Sequence, residues 1–510
     1  MSSGHLEVET KYDVDGEFVV PDLTGLPGVA SVDPPVEHAL EAVYLDTEDL
    51  RLLRARITLR RRTGGSDAGW HLKLPEGAAR RELHAPLGRA TKSPPRSLQE
   101  PIVGVLRGAR VQPVTTLRTR RTVTALRGAD GQLLAEIADD TVHATVPAVP
   151  DGAAEMQAWR EVEVELGGGD AALAEAVGER LVAAGARPSV AASKLGRALA
   201  DRVAGLSSAT SAGWQTETTE GPTAGRFLHT ALTDQVASLQ AADVQLRTEQ
   251  PDAVHQVRVA ARRLRSTLAA FHPLIEESAH RSLRDELSWL GGQLADARDD
   301  EVALEHLRAV VAAEPVELVL GPVAARLQQT ELREVRAGLD RALLTLSEPR
   351  YLKLLDDLHA LLADPPFTEL ADDPLKPVLR ATTRRSVKRL RNRLATARQA
   401  PDAERAVALH EVRKAAKRAR YAAEVGKGEL GHVKALARSA KKVQQVLGEL
   451  QDTVVTREQC RRLGIVAAAA GENSFTFGRL HGLEQERAAR AEAEFWAMER
   501  KVRSVLRAAG

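Results

Sequence analysis

Charged side chains occupy every second position in several short, strand-like stretches of the first third of the sequence. In HLEVETKYDV, residues 5–14, Glu7, Glu9 and Lys11 share one face of an extended chain, and mostly apolar side chains take the other face. Carboxylates at this spacing can hold a divalent cation, and a nearby ammonium group can bind phosphoryl oxygens. The alternative interpretation is an amphipathic edge strand whose charged face lies in water.

Later stretches repeat this alternation, and the face described in each stretch carries one sign of charge. RITLRRR, HLK and LRTRR place basic side chains on one face, whereas AEIADD and REVEVEL place acidic side chains on one face. The side chains that share a face are Arg60 and Arg62, His71 and Lys73, Arg118 and Arg120, Glu136 and Asp140, and Glu161, Glu163 and Glu165. Asp139 takes the place of Asp140 if a bulge shifts the register by one residue.

These charged faces either lie in water or surround the interior of a wide polar barrel. Acids and bases inside a barrel need a ligand that joins them, because unpaired buried charge is unfavourable. A polyanion bound together with divalent cations meets that need, since Arg and Lys bind phosphoryl oxygens and clustered carboxylates hold Mg²⁺ or Mn²⁺.

The composition is that of a globular protein with more than one domain. The 510 residues are 43% hydrophobic and 28% charged, with a net charge of +1, and a chain of this length holds about two to four domains. The single cysteine, Cys460, excludes an internal disulfide and a cysteine-cluster metal site. The sequence shows neither a secretory signal nor an apolar stretch long enough to cross a membrane, so we expect a cytoplasmic protein.

The sequence pattern changes near residue 226. Strand-like stretches continue through residue 167, and two short helical patterns follow near residues 170–184 and 191–203. Residues 205–225 are rich in Ser, Thr and Gly, which is typical of a linker. Beyond them Ala and Leu recur with the 3.6-residue period of helices. We therefore predict an α+β domain over residues 1–204, a linker over 205–223 and an all-α domain over 224–510.

An ordered set of motifs in the first domain resembles the CYTH domain of the triphosphate tunnel metalloenzymes. The set comprises E-x-E-x-K near the start, YLDT, the LRRR strand, the strand with tryptophan and lysine, the EVEVE strand and SKLGRAL. The resemblance spans residues 5–203 and implies an eight-stranded antiparallel β tunnel that binds a triphosphate along its axis. It also implies that the triphosphate is hydrolysed or cyclised with Mg²⁺ or Mn²⁺.

The resemblance assigns roles to the charged residues position by position. It implies that Glu7, Glu9 and Lys73 are catalytic, with one metal bridging phosphate oxygens and a second activating water. The implied metal ligands are Glu7, Glu9, Glu136, Asp140, Glu161, Glu163 and Glu165. The implied phosphate-binding side chains are Lys11, Arg60, Arg62, Lys73, Arg118, Arg120 and Lys194.

The second domain contains one basic helical pattern twice. HQVRVAARRLR begins at His255 and HEVRKAAKRAR begins at His410, and basic residues follow each histidine at offsets 3, 7, 8 and 10. The repeat predicts an all-α bundle made of two related helical halves. Apolar or small residues lie one position before each basic stripe, so the stripes should border a buried helix seam. A solvated arginine face is the alternative, but most of these residues lack acidic partners at i+4, which favours an anionic ligand.

This duplicated pattern resembles the CHAD domain over residues 224–507, which implies binding of inorganic polyphosphate and association with polyphosphate granules. The implied binding side chains are His255, Arg258, Arg262, Arg263, Arg265, His410, Arg413, Lys414, Lys417, Arg418, Arg420 and Tyr421, with Arg384, Arg385, Lys388 and Arg391 from another basic helix. The two histidines either contact phosphate or are structural. Nucleic acid is the competing polyanion, but only 3% of the residues are aromatic, which disfavours recognition by base stacking.

The sequence therefore predicts a metal-dependent inorganic triphosphatase joined to a helical module that holds polyphosphate. Hydrolysis of a nucleoside or thiamine triphosphate and cyclisation of ATP are the enzymatic alternatives, although the sequence shows no feature that reads a base or stacks on a thiazole. The non-enzymatic alternative is a polyphosphate-binding scaffold. The acidic clusters argue against a scaffold, because basic residues alone would serve simple anion binding.

Overall fold

The computed structural model describes two compact units, Met1–Ala212 and Gly213–Gly510. Described residues are 4–7, 9–65, 67–77, 79–88, 93–148, 153–209, 217–219, 221–425 and 433–509, without the side chains of 4–7, 207–209, 295–301 and 425. Within these ranges the first unit is an antiparallel sheet with helices and the second is almost entirely helical, as predicted. None of the helices in the described ranges combines the length and the apolarity that a membrane span requires.

Eleven strands of the first unit belong to one sheet, and short helices connect or cover them. The strands are β1 (Gly4–Glu7), β2 (Glu9–Val14), β3 (Ser31–Val32), β4 (Val36–Asp46), β5 (Thr58–Thr63), β6 (Gly69–Glu76), β7 (Ala79–Ala85), β8 (Gln112–Arg127), β9 (Leu133–Val146), β10 (Glu155–Leu166) and β11 (Arg187–Pro188). The helices are α1 (Arg51–Arg54), α2 (Arg96–Gln99), α3 (Val103–Leu106), α4 (Ala171–Ala183), α5 (Lys194–Ala198) and α6 (Ala200–Ala209).

The ladder of hydrogen-bonded strands differs from the predicted ring of eight. Ten strands follow one another in the order β1-β7-β6-β5-β4-β8-β9-β10-β2-β11, and β3 pairs with β8 beside this order. The prediction of a closed ladder is wrong, because this ladder has two ends and includes two-residue strands that no sequence pattern marks. Its two sides are nevertheless joined by the chain itself, since β1 pairs with β7, β2 pairs with β10, and only residue 8 separates β1 from β2.

Alternation along the strands sends charge inward and apolar side chains outward. On β2, β9 and β10 the outward side chains include Tyr12, Ile137, Val162 and Val164, which are buried under α4. On β6 the outward Trp70, Leu72 and Leu74 are also buried. The inward faces carry Glu, Lys and Arg, so both faces of the sheet are largely removed from water and the inner one is polar.

Helix α5 closes over part of this polar interior. Leu195 and Leu199 pack in one apolar cluster with Tyr44 and Leu117, two side chains that also line the interior cavity. Ser193 caps the helix by accepting a hydrogen bond from the Gly196 N–H at 3.0 Å. This packing fixes the first residue of α5, Lys194, at the cavity wall.

The second unit begins with a small hairpin and continues as helices. The hairpin strands are β12 (Glu217–Thr218) and β13 (Gly221–Pro222). The helices are α7 (Ala224–Arg247), α8 (Ala253–Ala270), α9 (Glu277–Gln293), α10 (Ala295–Ala313), α11 (Val323–Ser347), α12 (Pro349–Ala363), α13 (Leu375–Gln399), α14 (Asp402–Val425), α15 (Val433–Ala469) and α16 (Phe475–Ala508). Part of the predicted linker is therefore ordered, since α6 continues to Ala209 and the hairpin begins at Glu217, while residues 210–216 and 220 lie outside the described ranges.

One apolar core runs through most of the helical unit. It includes Val257 and Leu264 from α8, Val412 from α14, Leu355 from α12 and Phe495 from α16. The two predicted basic helices, α8 and α14, pack against each other at this core. Their predicted apolar phase is buried at all positions except Val254, which is half-buried. The division of the unit into two related halves stays a prediction.

The YLDT motif has a structural explanation in the first unit. Asp46 has no exposed surface, and its carboxylate accepts hydrogen bonds from the backbone N–H groups of Thr47, Leu52 and Leu53 at 2.7, 2.9 and 2.9 Å. Burial raises the pKa of Asp46, although these backbone donors oppose the shift. The carboxylate thereby fastens α1 to the end of β4.

Replacement of this buried acceptor should destabilise the first unit. Asp46→Ala leaves three backbone N–H donors without a partner, two of them on buried residues, so we expect the free energy of unfolding to fall by about 3 kcal/mol. Asp49→Ala is the matched control, because Asp49 is 43% exposed and pairs with Arg51 at the surface, where the loss should stay below about 1 kcal/mol. Urea unfolding followed by near-ultraviolet circular dichroism measures both, and equal losses would contradict this explanation of the motif.

Candidate functional site

A polar cavity of about 350 Å³ lies inside the wrapped sheet of the first unit. Strands β2 and β4–β10 contribute to its wall, together with the first residue of α5. The lining includes seven basic side chains, Lys11, Arg60, Arg62, Lys73, Arg80, Arg121 and Lys194, and six acidic ones, Glu9, Asp67, Glu82, Glu136, Glu163 and Glu165. The two signs of charge therefore nearly balance within the described wall.

Glu163 is the centre of an ion-pair network on one side of the cavity. Lys11 donates a hydrogen bond to Glu163, Lys194 lies 2.7 Å from it and Arg121 lies 2.5 Å from it. Burial alone would raise the pKa of Glu163, but the charges of Lys11, Lys194 and Arg121 hold it well below its usual range. Glu163 is consequently ionised and fully paired before any ligand binds.

Two further carboxylates extend this network behind the cavity surface. Lys194 Nζ lies 2.9 Å from Asp140 and 2.8 Å from Glu161, and Arg121 donates two hydrogen bonds to Asp140. Burial opposes the charged form of Lys194, but Glu163, Asp140 and Glu161 raise its pKa above the ordinary value. Asp140 and Glu161 therefore serve as counter-ions for the basic wall.

Three other glutamates form a row across adjacent strands. Glu165 on β10 lies opposite Glu9 on β2 and opposite Glu136 on β9 in the strand register, and all three line the cavity. Burial raises the pKa of Glu165, and although Lys73 opposes the shift, the nearby Glu9 and Glu136 add to it. Like charges directly opposite each other destabilise a sheet unless a cation joins them.

The chemistry of this row fits a divalent metal ion. Side-chain carboxylates are the ligands that Mg²⁺ and Mn²⁺ prefer, and the row provides them on a polar wall. Within the described residues, no three carboxylate or imidazole groups converge on one point. Side-chain rotations of Glu9, Glu136 and Glu165 would be needed to gather them around an ion.

The opposite wall of the cavity is mainly basic. Arg60 lies within 3.4 Å of the Tyr44 hydroxyl and 4.0 Å from Glu82, and Lys73 lies 3.5 Å from Glu82. Burial lowers the pKa of Arg62, and the neighbouring charge of Arg60 lowers it further. Guanidinium groups that crowd each other in this way gain from an anionic ligand between them.

The second unit carries its own concentration of basic groups where α8 and α14 pack together. His255, Arg258, Arg262 and Arg265 on α8, and His410, Arg413, Lys417, Arg418, Arg420 and Tyr421 on α14, are all half-buried. Arg284 from α9 adds a guanidinium that sequence analysis missed, and its Nε is buried without a hydrogen-bond partner, as are those of Arg262 and Arg413. We name this set the seam cluster.

A groove of about 590 Å³ adjoins the seam cluster. Arg385, Lys388, Arg389 and Arg393 from α13 line it together with His272 and Arg418. Burial lowers the pKa of Arg418 to about 10, and Arg389 and Arg284 contribute to the shift. Such desolvated like charges favour a bound polyanion over water alone.

Comparison with known proteins accounts for both units. The CYTH domain family matches residues 5–191, and the CHAD domain family matches residues 230–461. Two uncharacterised proteins of Mycobacterium tuberculosis, from strains CDC 1551 and H37Rv, are each 38% identical to the chain over 521 residues, which cover 99% of this chain and 98% of theirs. The chain belongs to the CYTH–CHAD family.

Two solved structures each resemble part of the chain. PptA from Streptomyces chartreusis is 22% identical with a TM-score of 0.45 and covers 55% of this chain and 99% of its own. The CHAD domain from the plant Ricinus communis is 26% identical with a TM-score of 0.44 and covers 58% of this chain and 97% of its own. CYTH domains comprise the triphosphate tunnel metalloenzymes, which act on triphosphates with divalent metal ions, and CHAD domains bind polyphosphate.

Most of the predicted CYTH residues line the cavity or its counter-ion network. Glu9, Lys11, Arg60, Arg62, Lys73, Glu136, Glu163, Glu165 and Lys194 line it, and Asp140 and Glu161 lie behind it. Asp139 instead pairs with Arg160, so the choice left open between Asp139 and Asp140 falls to Asp140. Glu7 lies opposite Arg80 in the strand register, but its side chain lies outside the described residues.

Two predicted phosphate ligands of the CYTH domain point away from the cavity. Arg118 and Arg120 are exposed on the outside of β8, where Arg118 pairs with Glu41 at 2.9 Å, whereas Arg121 faces the cavity. The stretch LRTRR carries arginines at even positions, 118 and 120, and at an odd position, 121. Because Leu117 is buried, the odd positions of this strand face inward. Sequence analysis also missed His38, Asp67, Arg80 and Glu82, of which only Arg80 and Glu82 show the two-residue alternation that could have revealed them.

The predicted CHAD residues divide into half-buried and exposed groups. Arg263 is exposed, Lys414 is exposed and pairs with Glu411, and the four predicted α13 residues are exposed. Of those four, Arg385 and Lys388 line the groove, and Arg384 and Arg391 do not. The His410 side chain forms a hydrogen bond with Gln451 at 3.0 Å, which supports a structural contribution of this histidine.

Arginine substitutions on β8 test which of its side chains face the cavity. Arg121→Ala removes a charge-assisted contact at the cavity, which is worth about 1.5–3 kcal/mol and should weaken binding of inorganic triphosphate about 10-fold or more. Arg118→Ala is the matched control on the outer face and should change affinity less than about twofold. Isothermal titration calorimetry without metal measures both, with circular dichroism to confirm folding, and a larger effect of Arg118→Ala would refute the assignment.

Proposed function

We propose that the CYTH domain hydrolyses inorganic triphosphate with Mg²⁺ or Mn²⁺ and that the CHAD domain holds inorganic polyphosphate. The observation that carries the first half is the cavity wall with seven basic and six acidic side chains. A triphosphate alone would meet the glutamates as well as the arginines. A metal ion at the acidic row would convert that row from a repulsive surface into a binding one, which favours an enzyme over a simple anion scaffold.

The cavity lining favours an unsubstituted triphosphate. Apart from the imidazole of His38, Tyr44 is the only aromatic side chain among the described lining residues, and it is held against Arg60. A nucleobase or thiazole ring would find little stacking surface there. Inorganic triphosphate needs only the cationic wall that the cavity provides.

The chain's own residues would position the phosphates. Arg60, Arg62 and Lys73 would bind phosphoryl oxygens from one wall, and Arg121 and Lys194 would bind them from the other. Glu9, Glu136 and Glu165 would hold a divalent ion, which when bound neutralises phosphate charge and lowers the pKa of a coordinated water. Burial of the wall strengthens each of these electrostatic contacts and excludes competing solvent.

Phosphate release assays test the first half of the proposal. We expect Mg²⁺- or Mn²⁺-dependent release from inorganic triphosphate to exceed release from ATP, thiamine triphosphate or long-chain polyphosphate. Glu9→Gln should reduce the rate about 100-fold, because it removes one charge from the acidic row. Glu37→Gln is the matched control, since Glu37 is exposed on β4 outside the cavity lining.

Other outcomes of this assay distinguish the alternatives. Preferential turnover of an organic triphosphate would replace the proposed substrate, and a cyclic product from ATP would replace the reaction. Binding without turnover of any of these compounds would leave a polyphosphate scaffold and would overturn the proposed activity.

Substitutions in the seam cluster test the second half of the proposal. Arg262→Ala and Arg413→Ala each remove a half-buried guanidinium whose Nε lacks a partner, so long-chain polyphosphate should bind about 10-fold more weakly. Lys353→Ala is the control, because Lys353 is 73% exposed on α12 and pairs with Asp357. Competition between polyphosphate and duplex DNA at fixed salt separates the two polyanions, and equal affinity for both would contradict the proposal.

A further inference from the structure

We propose that polyphosphate binding at the seam cluster takes up a proton at Lys417, so that affinity rises as the pH falls through neutrality. This inference rests on the proposed polyphosphate binding by the CHAD domain. It adds a property that neither the basic pattern nor the family match specifies.

Lys417 lies in the middle of the seam cluster, and four arginines lie near it. Arg262 and Arg265 face it from α8, and Arg413 and Arg420 flank it on α14. Within the described residues, no carboxylate forms an ion pair with Lys417; Glu424 pairs with Arg420 at 3.3 Å instead. The ammonium group is thus half-buried and is repelled by arginines on two helices.

Among the described side chains, those of the other helices packed against α14 add no compensating negative charge at this position. From α9 and α13, Arg284 and Arg389 approach the next residue, Arg418. On α15, Gln451 meets His410, and Gly448 lies beside Arg413. This antiparallel progression brings Gln444, whose carbonyl oxygen is buried without a partner, level with Lys417.

Acidic residues near α14 are engaged elsewhere. Glu411 forms an ion pair with Lys414 and lies 4.0 Å from Arg393, on the side of α14 that faces α13. Burial and the four surrounding arginines lower the pKa of Lys417 to about 7. At neutral pH both the charged and the uncharged form of this amine are therefore populated.

The chemistry of the side chain makes Lys417 the proton-accepting member of the cluster. Arginine keeps its proton at any physiological pH, whereas a buried lysine can release it. The first copy of the duplicated pattern carries Arg262 at the offset where the second copy carries Lys417. A bound polyanion would cancel the repulsion, raise the pKa of Lys417 towards its usual value and draw a proton from solvent.

The direction and size of the pH effect follow from this linkage. With a free-state pKa of about 7 and a bound-state pKa well above 8, affinity should be about tenfold higher at pH 6 than at pH 8. Proton uptake should be about half a proton per site at pH 7 and approach one proton at pH 8.

Calorimetric titration of the full chain with long-chain polyphosphate measures both quantities. Titrations at each pH in two buffers of different ionisation enthalpy give the number of protons taken up. Lys417→Arg should bind about tenfold more tightly than the wild type at pH 8 and equally at pH 6, with the uptake reduced by the contribution of Lys417. Lys353→Arg, a substitution on the exposed side of α12 outside the binding set, is the control and should leave the pH profile unchanged.

The histidines and the phosphate chain ends are present in both proteins, so the difference between the profiles isolates Lys417. Lys417→Met tests the same point if the arginine variant folds poorly, because its affinity should stay low and lose the same pH dependence. Tight binding with identical pH profiles in the wild type and both variants would overturn this inference alone. Failure of the wild type to bind polyphosphate at any pH would overturn the proposed function beneath it.

Discussion

Full ionisation of Glu163 inside the sheet is the constraint on which the first unit depends. A buried carboxylate of this kind costs several kcal/mol unless cations reach it with good geometry. Its three cations come from β2, β8 and α5, which lie far apart in the sequence. Lys11 is its register partner on β2. Arg121 reaches it only if the odd-numbered side chains of β8 face the cavity, and Lys194 reaches it only if α5 packs at the wall. One side chain thus couples the strand register, the orientation of the β8 side chains and the position of α5.

The same constraint separates the acidic residues into two populations with different chemistry. Glu161 and Glu163 are neutralised by the protein's own cations, whereas Glu165, only two residues further along β10, faces two other glutamates. A repeated motif therefore yields counter-ions at one end and candidate metal ligands at the other. In the second unit the balance is reversed, because cations outnumber anions among the described side chains at the seam cluster.

Strand alternation predicted the inward charges on β2, β5, β6 and β10, because most charges of each stretch lie at alternate positions, with Arg61 on β5 and Arg160 on β10 as exceptions. It failed on β8, where Arg118, Arg120 and Arg121 occupy both parities and only tertiary packing decides between them. Nor could the row of Glu9, Glu165 and Glu136 be predicted, since its existence depends on the register between three strands. The duplicated basic helices were visible from spacing alone, yet Arg284 was not, because α9 carries no matching repeat.

The division of the first strand between two partners also affects how the protein is made. Residues 9–14 pair with β10, whose residues 155–166 leave the ribosome much later, and residues 4–7 pair with β7 in between. Contacts this distant in sequence form slowly and leave strand edges exposed while synthesis continues. Nascent chains of the CYTH domain should therefore be clients for chaperones until β10 and α5 have emerged and the buried charges have found their partners.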